Sequence, residues 1–275
     1  MNRPTTLITG TTQGLGRAIA VEVARGGGTV LLHGRDRARL DAVAADVRAA
    51  APDTTVRTVL ADLADLEQVH TMADRILATE PRLDAVVNNA VAGGGVEPLR
   101  REVSAQGHEL RFAVNHLAPY ALVRGLLPLL TAGASARVVN VASIGQERID
   151  FDDVMLEHGY EGLRAYCRSK LAMIMATFEL AEELAGTGVT VNALHPAHLM
   201  DTQGVRDYGL TPVVGVDEGV RPTVRLLTDP ELTGVTGRYF DRFTDARAHE
   251  QAYDANARNR LMELTRAYVA RPRAA

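Results

Sequence analysis

A short β-branched run that breaks into glycines and then into a helical repeat fixes most of what this chain can become. Thr5-Thr-Leu-Ile-Thr-Gly10 reads as a strand, Gly10-Thr-Thr-Gln-Gly14-Leu-Gly16 as a turn, and Arg17 to Arg25 carries apolar residues at helical spacing. Glycines at such a turn let the backbone approach a pyrophosphate. The helix behind it offers free N–H groups and the positive end of its dipole. The spacing is G-x-x-x-G-x-G rather than the commoner G-x-G-x-x-G, but the physical logic is the same.

The alternation begun there continues. Further strands are expected at Thr29–His33, Thr54–Ala61, Leu83–Val87, Arg137–Ala142, Val189–Leu194 and Gly237–Phe240. Helices are expected after Asp36 and from Asp62-Leu63 to about Thr79, then in the amphipathic stretch from about Val103 to Leu130, at 166–185 and at Asp217–Leu227. The tail from Ala246 to Val269 reads as a surface helix, with residues 271–275 frayed. Strands alternating with helices at this length predict one domain over residues 1–275. Its fold class is α/β, a doubly wound parallel sheet (Rossmann fold) with helices on both faces. Segments 144–165 and 197–216 fall on the substrate side. The acids of Ile149-Asp-Phe-Asp-Asp153 lack the spacing of a metal site, so 144–165 is expected to be a solvated loop with no metal.

Charge narrows the partners. The net charge is −4 and arginines are interleaved with acids, as in Asp36-Arg37-Ala38-Arg39, which argues against a nucleic-acid or anionic-membrane surface. The most apolar long stretch, Phe112 to Leu130, contains Asn115, His116 and Arg124 and fails as a membrane span. The single cysteine, Cys167, excludes an internal disulfide and reads as a small buried apolar residue. No apolar run of signal-peptide length precedes the first strand. A cytoplasmic protein with a small-molecule partner is the expectation.

Chemistry gathers at the strand ends. After the second strand stands His33-Gly34-Arg35-Asp36: Gly34 leaves room and Arg35 offers a planar fork for phosphate, which favours NADP (NADPH) over NAD. Asp36 fits as a helix N-cap. Asp62 is open to two roles, capping the next helix or facing an adenine. The fourth strand ends in Asn88-Asn89-Ala90 before a Gly93-Gly-Gly95 loop, and the fifth ends at Ser143. Asn115, on an otherwise apolar helix, reads by itself as a structural hydrogen-bonding residue. Tyr166-Cys-Arg-Ser-Lys170 stacks a phenol and an ammonium on one helix face, and Lys170 is the only lysine in the chain. A compact ammonium retained where every other basic side chain is arginine suggests a task that a guanidinium cannot perform. Phenol beside ammonium suggests proton transfer.

Together, Thr9-Gly10-x-x-x-Gly14-x-Gly16, Asn88-Asn89-Ala90, Asn115, Ser143, Tyr166-x-x-x-Lys170 and Asn192-Ala-Leu-His-Pro196 resemble the short-chain dehydrogenase/reductase family. The 22 residues between Ser143 and Tyr166 look like the longer-loop branch of retinol-dehydrogenase-like and carbonyl-reductase-like proteins. The resemblance implies a catalytic set of Asn115, Ser143, Tyr166 and Lys170. Tyr166 would exchange a proton with a carbonyl oxygen, Lys170 would hold the nicotinamide ribose and favour phenolate, Ser143 would orient the carbonyl, and Asn115 would hold a water leading from Lys170 to solvent. It also implies a cofactor surface: Gly10, Thr12, Gln13, Gly14, Leu15 and Gly16 at the phosphates, Asp62 and Leu63 at the adenine, Asn89 and Ala90 along the cleft, and Pro196, Leu199 and Thr202 at the carboxamide. Substrate is expected against Ser143, Tyr166, His198, Met200 and Tyr208. Three positions depart from the family pattern: Val91 and Ala197 stand where glycine is frequent, and Thr202 falls one residue late.

The expected activity is NADP(H)-dependent interconversion of a carbonyl and an alcohol on a mostly apolar substrate. Two rivals on the same fold are an NADP-binding regulator and a cofactor-retaining isomerase, dehydratase or cyclase. Homodimer, tetramer and monomer all stay open.

Overall fold

The computed structural model describes residues 3–93, 100–133 and 135–271. Gly94, Gly95 and residues 272–275 of the expected frayed tail lie outside them. Strands β1 (Thr5–Ile8), β2 (Thr29–Gly34), β3 (Thr55–Leu60), β4 (Ala85–Asn88), β5 (Ala136–Val141), β6 (Val189–His195), β7 (Tyr239–Asp241) and β8 (Thr244–Ala246) form one sheet in the order β3-β2-β1-β4-β5-β6-β7-β8. The first seven are parallel, and β8 returns antiparallel on β7. The helices are α1 (Gly14–Arg25), α2 (Arg37–Ala50), α3 (Leu66–Thr79), α4 (Leu110–Phe112), α5 (Ala118–Leu130), α6 (Gly162–Glu183), α7 (Gln203–Asp207), α8 (Asp217–Thr228) and α9 (Ala255–Val269).

Alternation along the strands divides the core. Leu7, Leu31, Val86, Val138 and Val191 face the layer of α3, α5, α6 and α9, where Met72, Leu122, Ile174 and Leu261 are buried. Ile8, Val30, Leu32, Val87, Val139 and Leu194 face α1, α2 and α8, where Ile19, Leu40 and Val220 are buried. A parallel sheet covered on both faces needs such continuous apolar runs, which is why the central strands carry so few polar residues.

Four expectations change. The stretch expected as one helix from Val103 starts at Leu110 and passes through a π turn at Ala113–Leu117 before α5. The helix bearing Tyr166 begins at Gly162. The tail helix starts only at Ala255, and its inner face is packed, with Leu261 and Met262 buried and Arg258 bonding Glu179 of α6 at 2.5 Å and Glu182 at 3.0 Å. Nor is 144–165 merely a solvated loop, because Ile149, Val154 and Leu156 are buried and Gln251 exchanges hydrogen bonds of 2.7 and 3.0 Å with the Ile149 backbone. Its acid Asp153 accepts from the Glu157 and His158 amides, and no metal-binding group of side chains occurs among the described residues. No helix among them is long and apolar enough to cross a membrane.

Candidate active site

The carboxyl ends of β1, β2, β4, β5 and β6 converge where the strand order reverses, the usual ligand edge of a doubly wound sheet. The turn after β1 is built to bring backbones together. Gly10 (φ +69°) and Gly14 (φ +54°) adopt the left-handed region, and a Cβ on Gly10 would lie 2.7 Å from the Ala90 Cα. A Cβ on Gly16 would collide with the Gly10 carbonyl oxygen and the Asn89 amide. Asn89 itself clamps the turn: its Nδ2 donates to the Thr9 carbonyl (2.9 Å) and the Gly10 carbonyl (3.2 Å). The Thr9 hydroxyl accepts from the Asn89 and Ala90 amides, both at 3.0 Å. Gln13 at the start of α1 makes no side-chain cap, which leaves the helix N–H groups facing the cleft without a protein acceptor from that residue.

At the end of β2 the missing side chain of Gly34 has a different beneficiary from the one expected. A Cβ there would lie 2.5 Å from the Thr12 methyl, so Gly34 lets the glycine turn close over β2. Arg35 is exposed just beyond, and Asp36 caps α2 through a 3.0 Å bond from the Arg39 amide. His33 bridges three strands: its Nδ1 accepts from the Gly10 amide (3.2 Å) and its Nε2–H donates to the Ala61 carbonyl (3.1 Å). Burial holds it neutral, with a pKa lowered to about 4. The cap of α3 is Asp65, not Asp62. Asp62 instead closes a local turn by accepting from the Ala64 amide (2.9 Å), and Leu63 beside it is buried.

Opposite the turn, Pro196, Leu199 and Thr202 line up along the chain leaving β6. Leu199 has φ +44°, an uncommon conformation for a leucine. Thr202 caps α7 and sets its methyl 3.4 Å from where a Gly14 Cβ would stand, so this segment closes the cleft against the glycine turn. Leu15, Pro196 and Met200 converge on Gly219 of α8.

Ser143, Tyr166 and Lys170 meet beyond the end of β5. Lys170 is only 2% exposed; its ammonium donates to the Val141 carbonyl (2.7 Å) and lies 5.7 Å from the Tyr166 ring centroid. Burial pulls its pKa down to about 7. The Tyr166 phenol is pushed up by burial and drawn part of the way back by a hydrogen bond shared with Ser143. The Ser143 carbonyl is fixed by the Tyr239 hydroxyl and the Gln146 amide, each at 3.0 Å, while its hydroxyl accepts from the Gly145 amide (3.0 Å). A phenol that shares a hydrogen bond with a hydroxyl, with a buried ammonium 5.7 Å from its ring, is a group that can exchange a proton with an oxygen.

Asn115 sits within the π turn, fully buried, and its side chain is committed. Its Oδ1 accepts from the Ala92 amide (2.8 Å), and its Nδ2 donates to the Ala92 carbonyl (3.1 Å) and to Ser169 (3.0 Å). It ties the chain after β4 to α6 one residue from Lys170, which matches the structural reading of this side chain. Of the three further substrate positions, only Tyr208 reaches Tyr166, with ring centroids 5.9 Å apart. His198 is exposed with its ring 6.5 Å from His195, and Met200 packs on α8. Sequence reasoning passed over Tyr239 and Gln146, and also a buried set of Glu109, Arg111 and Tyr160 beside Tyr208. An arginine inside an apolar helix was the available signal for the last.

The family model described as short chain dehydrogenase matches residues 4–210. Human retinol dehydrogenase 13 is 34% identical over 275 residues, covering 94% of this chain and 82% of that one. Mouse (Mus musculus) retinol dehydrogenase 14 is 35% identical over 297 residues, covering 98% and 86%. Among solved structures, a Mycobacterium paratuberculosis protein of uncharacterised function superposes with a TM-score of 0.78 at 28% identity, covering 97% and 93% of the two chains. An Escherichia coli CFT073 structure, described as a short chain dehydrogenase complexed with NADPH, gives 0.72 at 27%, covering 89% and 98%.

Proposed function

The chain belongs to the short-chain dehydrogenase family, in its retinol-dehydrogenase-like branch, and from that premise we propose an NADP(H)-dependent enzyme that reduces a mostly apolar ketone or aldehyde with Tyr166 as the proton donor. The observation that carries this reading is the junction of Tyr166, Ser143 and a buried Lys170 beside a glycine cradle that side chains would fill.

The cofactor, when bound, supplies the hydride. Everything else falls to the chain. Gly10, Gly14 and Gly16 give a pyrophosphate close access to backbone, and the open start of α1 supplies N–H donors. Arg35, exposed at the end of β2, suits a 2′-phosphate, and the NADPH held by the E. coli relative supports the same choice. Ser143 orients the substrate carbonyl toward Tyr166, which gives its phenolic proton to the oxygen as negative charge develops there. Lys170 stabilises the phenolate left behind. Val91 and Ile144, next in sequence to the cleft residues Ala90 and Ser143, are 50% and 56% exposed, so the rim of the site offers apolar surface. The names of the relatives agree with such a substrate.

The test follows NADPH absorbance over a carbonyl panel. Turnover is expected, falling about 10²–10⁴-fold in Tyr166→Phe; turnover that survives the substitution would remove Tyr166 from its role. Arg35→Ala is expected to weaken NADPH far more than NADH, and equal losses would sink the 2′-phosphate assignment.

A further inference from the structure

Beside Tyr166 the site buries a polar group that the proton transfer does not use. Tyr208 follows α7, a helix with none of its own residues buried, and its ring is the part of this segment that docks inward. The ring stands edge-on to Tyr166, planes 69° apart, and its far edge lies 3.7 Å from where a Gly93 Cβ would stand. It therefore roofs the space above the catalytic phenol. Its hydroxyl is out of contact with solvent and faces the Arg111 guanidinium, which can only donate, so the phenolic proton has no acceptor among the described residues. A phenylalanine would pack as well without stranding a hydroxyl, and buried polar atoms normally have partners.

The charge facing that hydroxyl belongs to Arg111. Arg111 is 1% exposed on α4, held by Glu109 (3.3 Å) and by the Tyr160 hydroxyl, which donates in turn to Glu109 (3.0 Å). A cation and a phenolic hydroxyl are thus buried together beside the ring whose centroid lies 5.9 Å from that of Tyr166.

We propose that Tyr208 is a specificity-determining residue whose hydroxyl, with Arg111 behind it, reads a second oxygen on the carbonyl substrate. The proposal rests on the carbonyl-reductase reading of the same site. A substrate entering beside Tyr166 displaces the roofing ring, and the hydroxyl then needs an acceptor. A second carbonyl, hydroxyl or carboxylate on the substrate supplies one; a purely apolar ketone does not. Sites that hydrogen-bond a substrate oxygen discriminate against analogues lacking it more strongly than apolar pockets discriminate by size.

The test compares 2-octanone with 2,3-, 2,4- and 2,5-octanedione in the wild type and in Tyr208→Phe. The readouts are kcat/KM with NADPH and, separately, direct binding to the cofactor-free chain by NMR titration. Comparing the dione-to-ketone ratio between the two proteins cancels the intrinsic reactivity of the diones. At least one dione is expected to be favoured about tenfold or more in the wild type, with the ratio falling toward one in Tyr208→Phe. A ratio unchanged by the substitution overturns the proposal, as does a wild type that favours no dione. If nothing is turned over but the binding preference is present and lost in Tyr208→Phe, the reductase reading fails and the role of Tyr208 stands.

Discussion

Lys170 is asked to carry a charge where charge is expensive. It is buried, its ammonium has the Val141 carbonyl at 2.7 Å, and burial lowers its pKa from 10.5 to about 7. The sign of the consequence is fixed. Between pH 7 and 10.5 the unfolded chain holds the proton and the folded chain resists it, so stability rises with pH across that window and the penalty is complete below 7. Lys170→Met, similar in volume, should therefore stabilise the fold at pH 7, on the order of 3 kcal/mol after the lost hydrogen bond is subtracted. The same substitution should cost about 10²-fold or more in turnover. Urea unfolding at pH 7 and pH 10 checks it: the advantage of the Met variant should shrink at the higher pH, and a constant difference would mean that the lysine is not held against burial. Lys170→Arg should lose activity too, because a planar fork cannot replace one short bond from a compact ammonium in a fully packed site.

At the scale of elements, the turn between β1 and α1 does more than admit a phosphate, since it joins β1 to β4 through Asn89. Gly16→Ala puts a methyl into the Gly10 carbonyl and the Asn89 amide at once. A loss of about 1–3 kcal/mol in unfolding free energy is expected, together with weaker NADPH binding by direct titration. Loss of binding with full stability would assign the glycine to the ligand alone. This turn was legible because strand, glycines and helix leave a periodic signature, and the seven parallel strands were legible for the same reason. What escaped was short or long-range. The strand β8 is three residues long and lacks the buried apolar pair of β7, and the helix α7 has five residues and none of them buried, so neither shows an apolar pattern. The π turn at Ala113–Leu117 obeys the same apolar pattern as an α-helix, so nothing in the residues announces it. The Arg111 bond to Tyr160 joins positions 49 apart, a pairing that only the folded chain reveals. Asn115 was recognised as a hydrogen-bonding residue, but its partner, the Ala92 backbone, was not.

Across the whole molecule, two buried histidines bear on the acid limit of the fold. His33 joins the glycine turn to β3, and His116, beside Asn115, bonds Thr265 of α9 at 2.7 Å. Burial lowers their pKa values from 6.5 to about 4 and about 3. Both are neutral in the folded chain, while the unfolded chain takes up protons as pH falls through 6.5. Stability should therefore drop between pH 6.5 and 4, on the order of 3 kcal/mol for each histidine. The carboxylates whose pKa values are lowered, Asp65, Asp74, Asp153 and Asp229, act below their ordinary value of 3.8 and leave this window to the histidines. His33→Gln retains an acceptor for Gly10 and a donor for Ala61 without a titrating ring. Its urea midpoint should fall less steeply than that of the wild type between pH 6.5 and 4, with the two proteins closest in stability at the acid end. Parallel slopes would show that His33 is not held neutral, and the acid sensitivity would then belong to His116 and to the other histidines whose pKa burial lowers, His70, His108 and His195.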